Sequence, residues 1–476
     1  MAILSLHEDE GVVTMWGLQV IAGRVPYRDF VVYSGPACAY LYGAVFWLFG
    51  SSLLVDRLLD GAPMVLATFF LALIGRRLLP AGWAAAVALL WGIWLPALVG
   101  YGAYHFWGPA LVVVMSWALL GPRRRPVLAG LAAALALLFY QALAPAVLCG
   151  LLVAYLARRR LRDLLQAAAG PLLAAVLLGM YLLATGAVTG FFDQTVIFAF
   201  GRYQNFNRQP FPWNPFLLGD TLNWHSGLAA YWEFPMFWLL GVVAPFAVAA
   251  YALYALWRVL RDRLPLSNEA ALAIISSGLL VSSLVTQVSG PIFWLSAPLA
   301  LLLVAVRLRQ LTAAPPARRR LVALSPALLL FIAGLSPAPV GYWLSCSTNP
   351  GGPLARVDSA AGPVCLRVPE AAQLRRTQEV VAQPRTGAIA FLPDSPALYQ
   401  LTASRPTVPS YWTLPHQTRQ AELVWEESAM LDHVEVAVYL ADPDLDTGHP
   451  WQFDSFLAAN YAAVASYPGI IVYRRR

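Results

Sequence analysis

The sequence contains no lysine, and only 12% of its 476 residues are charged. Soluble globular chains carry roughly 25% charged residues. Half that share leaves too little polar surface to face water on every side. A soluble cytosolic enzyme, a disordered chain and a nucleic-acid binder are disfavoured together. Four cysteines are too few for a disulfide scaffold. The glycine-rich phosphate loop of nucleotide-driven proteins is missing, as is the Gly-x-Ser-x-Gly elbow, and no paired Cys or His has zinc spacing. These absences weigh against ATP-driven transport and serine hydrolase chemistry. They assign no metal ligands and no cofactor, and the need for a divalent metal stays open.

What the sequence does have is apolar residues, 59% of the chain. Up to about residue 345, apolar runs alternate with short arginine clusters. Beyond it, charged residues become ordinary in frequency and Pro and Gly punctuate short strand-like runs. The reading is a mainly α, polytopic transmembrane helical bundle followed by a small extracytoplasmic α/β domain. The divisions are 1–53, a first outer loop with interfacial helices; 54–345, the multi-span domain; and 346–476, the tail domain. Candidate spans lie at about 54–75, 81–98, 105–121, 126–141, 142–157, 165–186, 235–257, 269–287, 290–307 and 321–341. The pair from 126 to 157 is short and reads as two spans or as one irregular re-entrant unit, with Pro145 marking a break near its middle.

The arginines orient these spans. Clusters stand at Arg76-Arg77, Arg123–Arg125, Arg158–Arg160, Arg258–Arg263 and Arg307–Arg320. An even number of spans separates each neighbouring pair. All clusters therefore fall on one side, the cytoplasm by the positive-inside rule. Residues 1–53, the stretch near Tyr101–His105, the loop 187–234 and the tail fall on the other. The apolar run 36–50 is then a helix lying in the outer interface, where its Tyr and Trp belong. Residues 1–34 are placed outside with no signal peptide before them. MAILSL reads as the end of an apolar helix, so one preceding transmembrane helix is expected to be missing.

Four outer-face stretches carry chemistry. In His7-Glu8-Asp9-Glu10-Gly11, Asp9 reads either as the N-cap of a mildly amphipathic helix or as a general base beside the membrane. In Pro26-Tyr27-Arg28-Asp29-Phe30, Arg28 and Asp29 form either a surface pair of little worth or an anion site in which Asp29 holds Arg28 toward a phosphate. Tyr104 and His105 open a helix, in a structural or a substrate-binding role. In the loop 187–234, Arg202, Tyr203 and Arg208 interleave with aromatics. That pattern suits an interfacial belt or the anionic head of an amphiphile.

Asp9-Glu10-Gly11, a helix, Gly23, Pro26–Phe30 and Gly35-Pro36 together resemble the first outer loop of GT-C membrane glycosyltransferases. The likeness is to the branch (glycosyltransferase family 39-like) similar to protein O-mannosyltransferases and the lipid A aminoarabinose transferase. The Gly201–Pro212 loop, Phe391-Leu392-Pro393 with Ala397-Leu398-Tyr399, and Ile471-Val472-Tyr473 extend it over nearly the whole chain. The resemblance implies an integral membrane enzyme of the bacterial inner membrane. It takes a sugar from a polyprenyl-phosphate donor to a lipid, glycan or protein acceptor, with inversion at the anomeric centre. It implies that Asp9 is the catalytic carboxylate with Glu10 beside it. Arg28, Arg202 and Arg208 are the candidate phosphate ligands, with Asp29, Tyr104, His105 and Tyr203 around the substrate. The chain departs from the family's pattern at Tyr104-His105, where an acid is expected, and at Ala142, which follows Gln141. The alternatives are a transporter or flippase of a lipid-linked saccharide, and an inactive relative that binds without turnover. Carboxylates clustered at the outer face rather than mid-membrane favour the enzyme.

The tail predicts strands at 387–392, 434–440 and 469–473, and helices at about 369–382, 396–403, 416–431 and 452–461. Its role is acceptor recognition, a lid or a stabilising cap. Cys38 and Cys149 read as small core residues. Cys346 and Cys365, outside the cytoplasm in this topology, form a disulfide or stay as buried thiols.

Overall fold

The structure is a computed structural model that describes residues 2–3, 10–98, 104–121, 124–198, 238–286, 297–311, 354–392, 395–409, 420–440 and 454–476. In chain order its elements are β1 (Ala2–Ile3), α1 (Glu10–Ile21), α2 (Ala37–Phe49), α3 (Leu53–Leu78), α4 (Ala81–Leu98), α5 (Tyr104–Leu119), α6 (Pro126–Phe139), α7 (Ala144–Leu156), α8 (Leu161–Thr185) and α9 (Val188–Phe192). These are followed by α10 (Ala244–Arg261), α11 (Asn268–Thr286), α12 (Ala297–Leu311), β2 (Leu354–Ser359), β3 (Gly362–Arg367), α13 (Val368–Ala382), β4 (Ala388–Leu392) and α14 (Ala397–Leu401). The chain closes with α15 (Gln420–His433), β5 (Val434–Leu440), α16 (Asp454–Asn460), β6 (Tyr461–Tyr467) and β7 (Ile470–Arg475). They fall into two compact units: Met1–Leu59 with Leu182–Phe206 and Val340–Arg476, and Asp60–Tyr181 with Asn207–Pro339.

The second unit is helical. Leu53–Leu78, Leu161–Thr185 and Gly241–Arg261 are each long and apolar enough to cross a membrane, by length and composition. Only 17% of the apolar window of α8 is buried, and Leu172, Leu173, Val176 and Leu177 stand exposed on it. Water would not favour such a surface, whereas lipid would. Small residues let helices close on one another. A Cβ on Gly170 of α8 would fall 2.3 Å from the Gly130 carbonyl oxygen of α6, so the two backbones touch there.

The arginine-bearing helix ends gather at one end of this unit. Arg77, closing α3, donates to the Trp117 and Leu120 carbonyls at the end of α5 and lies over the Trp117 ring, as does Arg125 before α6. Arg159, after α7, donates to the Val259 carbonyl in the last turn of α10. The Gly121 amide donates to Asn268 at the start of α11, and Arg307 of α12 pairs with Glu269 at 3.1 Å. The ends grouped by parity in the sequence are thus neighbours in space. Guanidinium groups satisfy the terminal carbonyls that a helix leaves open.

The break in the 126–157 pair is not at Pro145. It lies at Tyr140–Leu143, where Tyr140 is extended and Gln141–Leu143 form a single 3-10 turn. Pro145 sits in the first turn of α7, where a missing N–H costs nothing. The span expected at 290–307 begins at Ala297 among the described residues, and the one at 321–341 lies outside them.

The first unit holds two sheets. One has the order β1-β3-β2, with β1 parallel to β3 and β2 antiparallel. The other has the order β4-β5-β7-β6, with β4 and β5 parallel and the rest antiparallel. Ile389, Phe391, Ala437, Val438, Leu440 and Val472 are buried in it. The expected strands at 387–392, 434–440 and 469–473 are β4, β5 and β7. The β2–β3 hairpin and β6 were not expected. Ala2–Ile3 is a strand, not the end of an apolar helix. The helix α1 is not an amphipathic surface element either. Val12, Val13, Thr14, Met15, Trp16 and Gln19 are all buried, because α2, α14 and the chain at 407–409 enclose it. The 13 residues of α2 rise about 20 Å, short of the roughly 30 Å hydrocarbon thickness.

Candidate functional site

The acidic motif meets the tail at the start of α1. The helix begins at Glu10, so Asp9 precedes it in sequence and lies outside the described residues. Gly11 rests directly on α14: a Cβ there would fall 2.2 Å from the Ala397 amide nitrogen. Only a residue without a Cβ permits that approach. The start of α14 is fixed in turn by Tyr399, fully buried, whose hydroxyl accepts the Phe391 amide at 3.3 Å while the two rings meet edge to face at 4.8 Å. The two sequence stretches that resembled one family are therefore packed against each other through Gly11 and Ala397.

The chain after α1 forms a tight loop around Arg28 and Asp29. Tyr27 takes a left-handed φ of 67°, an uncommon conformation for a residue with a Cβ. Its amide donates to the Phe30 carbonyl at 2.9 Å and its hydroxyl to the Ser34 carbonyl at 2.5 Å. Arg28 donates from Nε and Nη2 to the two carboxylate oxygens of Asp29, each at 2.8 Å, and from Nη1 to the Thr185 carbonyl at 3.4 Å. Asp29 also accepts the Val25 amide at 2.8 Å. The Arg28 hydrogen bond first, then the Val25 amide, holds the Asp29 carboxyl below the usual carboxylate range, with burial opposing. The Arg28 side chain stays 47% exposed. The pair is thus an oriented cation at a surface, and as an ion pair alone contributes about 0–1 kcal/mol.

A second segment clamps this loop. Buried Gln194, in the π turn Asp193–Ile197, accepts the Val32 amide at 2.9 Å and donates to the Tyr27 carbonyl at 3.2 Å. A Cβ on Gly190 of α9 would lie 2.0 Å from that same carbonyl oxygen. Tyr27 meets Phe191 edge to face at 5.1 Å, and Tyr33 stacks on Phe198 at 4.5 Å. On the tail side, Gln19 donates to the Val408 carbonyl, Arg24 to Gln19 and to the Thr407 carbonyl, and the Val31 amide to the Pro409 carbonyl. Burial lowers the pKa of the Arg24 guanidinium, and Asp29 acts against that.

Of the residues singled out from the sequence, the structure brings Arg28 and Asp29 into contact and sets Glu10 by its backbone at the start of α1. Tyr104 and His105 open α5. Asp9, Arg202, Tyr203 and Arg208 lie outside the described residues. Sequence reasoning missed Gln194, Gly190 and Asp56. The last is buried in the first turn of α3 and accepts the Thr14 hydroxyl of α1 at 2.9 Å. A lone acid opening an apolar run was the available signal. Among the described residues no three His, Cys, Asp or Glu side chains gather as a metal site. Cys365 is disulfide-bonded; its expected partner Cys346 lies outside the described residues.

The fold is similar to that of solved structures of ArnT. ArnT from Cupriavidus metallidurans bound to undecaprenyl phosphate is similar to this chain with a TM-score of 0.54 and 13% identity, over 99% of this chain and 94% of that one. Its apo state gives 0.52 and 14% over the same shares. At that identity the likeness establishes the fold. No protein-family model and no curated protein sequence matches the chain.

Proposed function

We propose that this chain is an integral membrane glycosyltransferase that moves a sugar from a polyprenyl-phosphate donor to an extracytoplasmic lipid, glycan or protein acceptor. The observation that carries the reading is the likeness in fold, along nearly the whole chain, to a glycosyltransferase whose structure holds undecaprenyl phosphate. An acceptor hydroxyl or amine attacks the anomeric carbon. The carbon–oxygen bond to the lipid phosphate breaks on the opposite side, and its electron pair leaves with the phosphate. The acceptor proton passes to the Asp9 carboxylate, with Glu10 beside it. Inversion follows from this single displacement.

The leaving phosphate gains charge, so fixed cations stabilise the transition state. Arg28 is the cation whose setting the structure describes. Its fork is already oriented by Asp29, its loop is clamped by Gln194, and its side chain remains half-exposed. Arg202 and Arg208 complete the phosphate site in this reading, while Tyr203, Tyr104 and His105 contact the sugar or acceptor. The chain resides in a bacterial inner membrane with its arginine-bearing helix ends in the cytoplasm and residues 346–476 outside. Residues 1–53 supply the acidic loop and 54–345 the spans.

The test is native mass spectrometry of the full chain purified gently from its membranes. A retained polyprenyl-phosphate sugar, lost in Arg28→Ala and Arg202→Ala, is the expected result. No such lipid, under conditions where ArnT retains one, would overturn the donor assignment.

A further inference from the structure

A cleft of about 600 Å³ opens in the first unit at the C-terminal end of α1, and the proposed transfer does not use it. Leu18 and Ile21 form its apolar wall. Ser51, Gln400, Ser404 and Arg405 are among its polar groups. The walls are fixed. Gln400 donates to the Ser51 carbonyl at 2.9 Å, the Ala360 amide to the Leu401 carbonyl at 3.0 Å, and the Leu53 amide to the Ala361 carbonyl at 2.9 Å. Beyond α14 the chain turns sharply at Ala403, which takes a left-handed φ of 51°, and the Ser404 amide returns to the Tyr399 carbonyl at 2.9 Å. That turn brings Arg405 to the cleft.

The charge is one-sided. Among the described residues, Arg405 is the single cation of the lining, no carboxylate lines the cleft, and Arg405 makes no hydrogen bond or ion pair. Other arginines of this unit are engaged: Arg28 with Asp29, Arg367 with Glu370, Arg376 with Glu379. Beside the cleft, the end of α2 and the start of α3 carry an uncovered apolar patch. Trp47 is 75% exposed, Phe49 70%, and Leu54 69%, with Leu48 and Leu58 between and beyond. Gly50–Ser52, which join the two helices, belong to both the patch and the cleft rim. An exposed Trp-Leu-Phe tip adjoining a cationic hollow matches the layering of a leaflet, with acyl chains below and phosphates at headgroup level.

We propose that this cleft is a site for the phosphate of an anionic phospholipid, whose acyl chains lie against Trp47, Phe49 and Leu54 and whose headgroup phosphate meets Arg405. The site draws on the membrane reading of the chain but not on sugar transfer. It anchors the unit that carries the acidic loop to the leaflet from which a lipid-linked donor would come.

The experiment titrates the purified full chain in detergent with phosphatidylglycerol and, separately, phosphatidylcholine, and reads bound lipid by native mass spectrometry. One phosphatidylglycerol is expected to bind more tightly than any phosphatidylcholine. In Arg405→Gln its affinity should fall about fivefold, the worth of one basic residue near an anionic surface. Ala22→Trp, which fills the exposed rim and keeps Arg405, should remove the same adduct, while Arg376→Gln should leave it. Equal retention of both lipids, an unchanged Arg405→Gln, or displacement by millimolar inorganic phosphate would overturn the proposal. Because the adduct is a phospholipid, its loss or survival is read independently of any polyprenyl-phosphate sugar.

Discussion

Replacing Gln194 with Met tests how the Arg28 loop is held. Methionine keeps the volume and chain length and removes both amide bonds. The Val32 amide, at 0% exposure, then loses its acceptor. An unsatisfied buried donor costs about 1–3 kcal/mol, and the lost bond to the Tyr27 carbonyl about 1 kcal/mol more. The loop should therefore open more readily by about 2–4 kcal/mol, roughly 30- to 1,000-fold in the opening equilibrium. Trypsin reports this directly, since Arg24 and Arg28 lie in the loop and cleavage tracks the open population when reclosing is fast. Mass spectrometry of the full chain after timed digestion should show cleavage after Arg24 and Arg28 accelerated by at least an order of magnitude. A change within twofold would mean that Gln194 does not clamp the loop, and that the tail contacts of Gln19, Arg24 and Val31 hold it alone.

Other outcomes follow from neighbouring contacts. Gly11→Ala should separate α1 from α14 and cost about 1–3 kcal/mol, seen as a lower thermal midpoint; an unchanged midpoint would refute the contact with Ala397. The Asp29 carboxyl should titrate below about 3.9 in carbon-detected NMR of labelled protein. Its lowered folded pKa makes the pair's stabilisation full at neutral pH and lost as pH falls through that folded value, so a midpoint at or above 3.9 would contradict the pairing. Non-reducing peptide mapping should find the Cys365 peptide linked to that of Cys346, with Cys38 and Cys149 alkylated once the protein is unfolded.

The long helices were legible because apolar runs bounded by arginines have few other physical solutions. The buried strands β4 and β5 were legible for a similar reason, as compact apolar runs rich in Val, Ala and Ile. The helix expected at about 452–461 ends on the first residue of β6, and the rest of YAAVASY announces no strand. β6 is an edge strand whose Ala462, Ala463 and Val464 are exposed, so burial left no strand signal in the pattern. In the first strand of the β2–β3 hairpin Arg356 and Asp358 do alternate with Ala355 and Val357, but over too few residues to stand out as a strand. The misreading of α1 has a different cause. Apolar residues on nearly every face give no stripe, and only tertiary packing tells a core helix from an interfacial one. At the site, adjacent Arg28 and Asp29 announced a pair. Gln194, an uncharged amide 162 residues from the Val32 amide that it accepts, announced nothing. Contacts of that span are fixed by the fold and leave no local pattern to read.

The most direct test of the glycosyltransferase account is a single-turnover assay of Asp9→Asn beside the unaltered chain, in liposomes containing a radiolabelled polyprenyl-phosphate sugar and an extract of outer-face acceptors. The account predicts that the unaltered chain releases polyprenyl phosphate and yields an acceptor glycoside of inverted configuration. The Asn variant should keep the donor bound and slow transfer by at least about 10²-fold, the usual worth of a general base. Transfer at the full rate by Asp9→Asn would remove Asp9 from the chemistry. Donor crossing the bilayer without cleavage would replace transfer with transport.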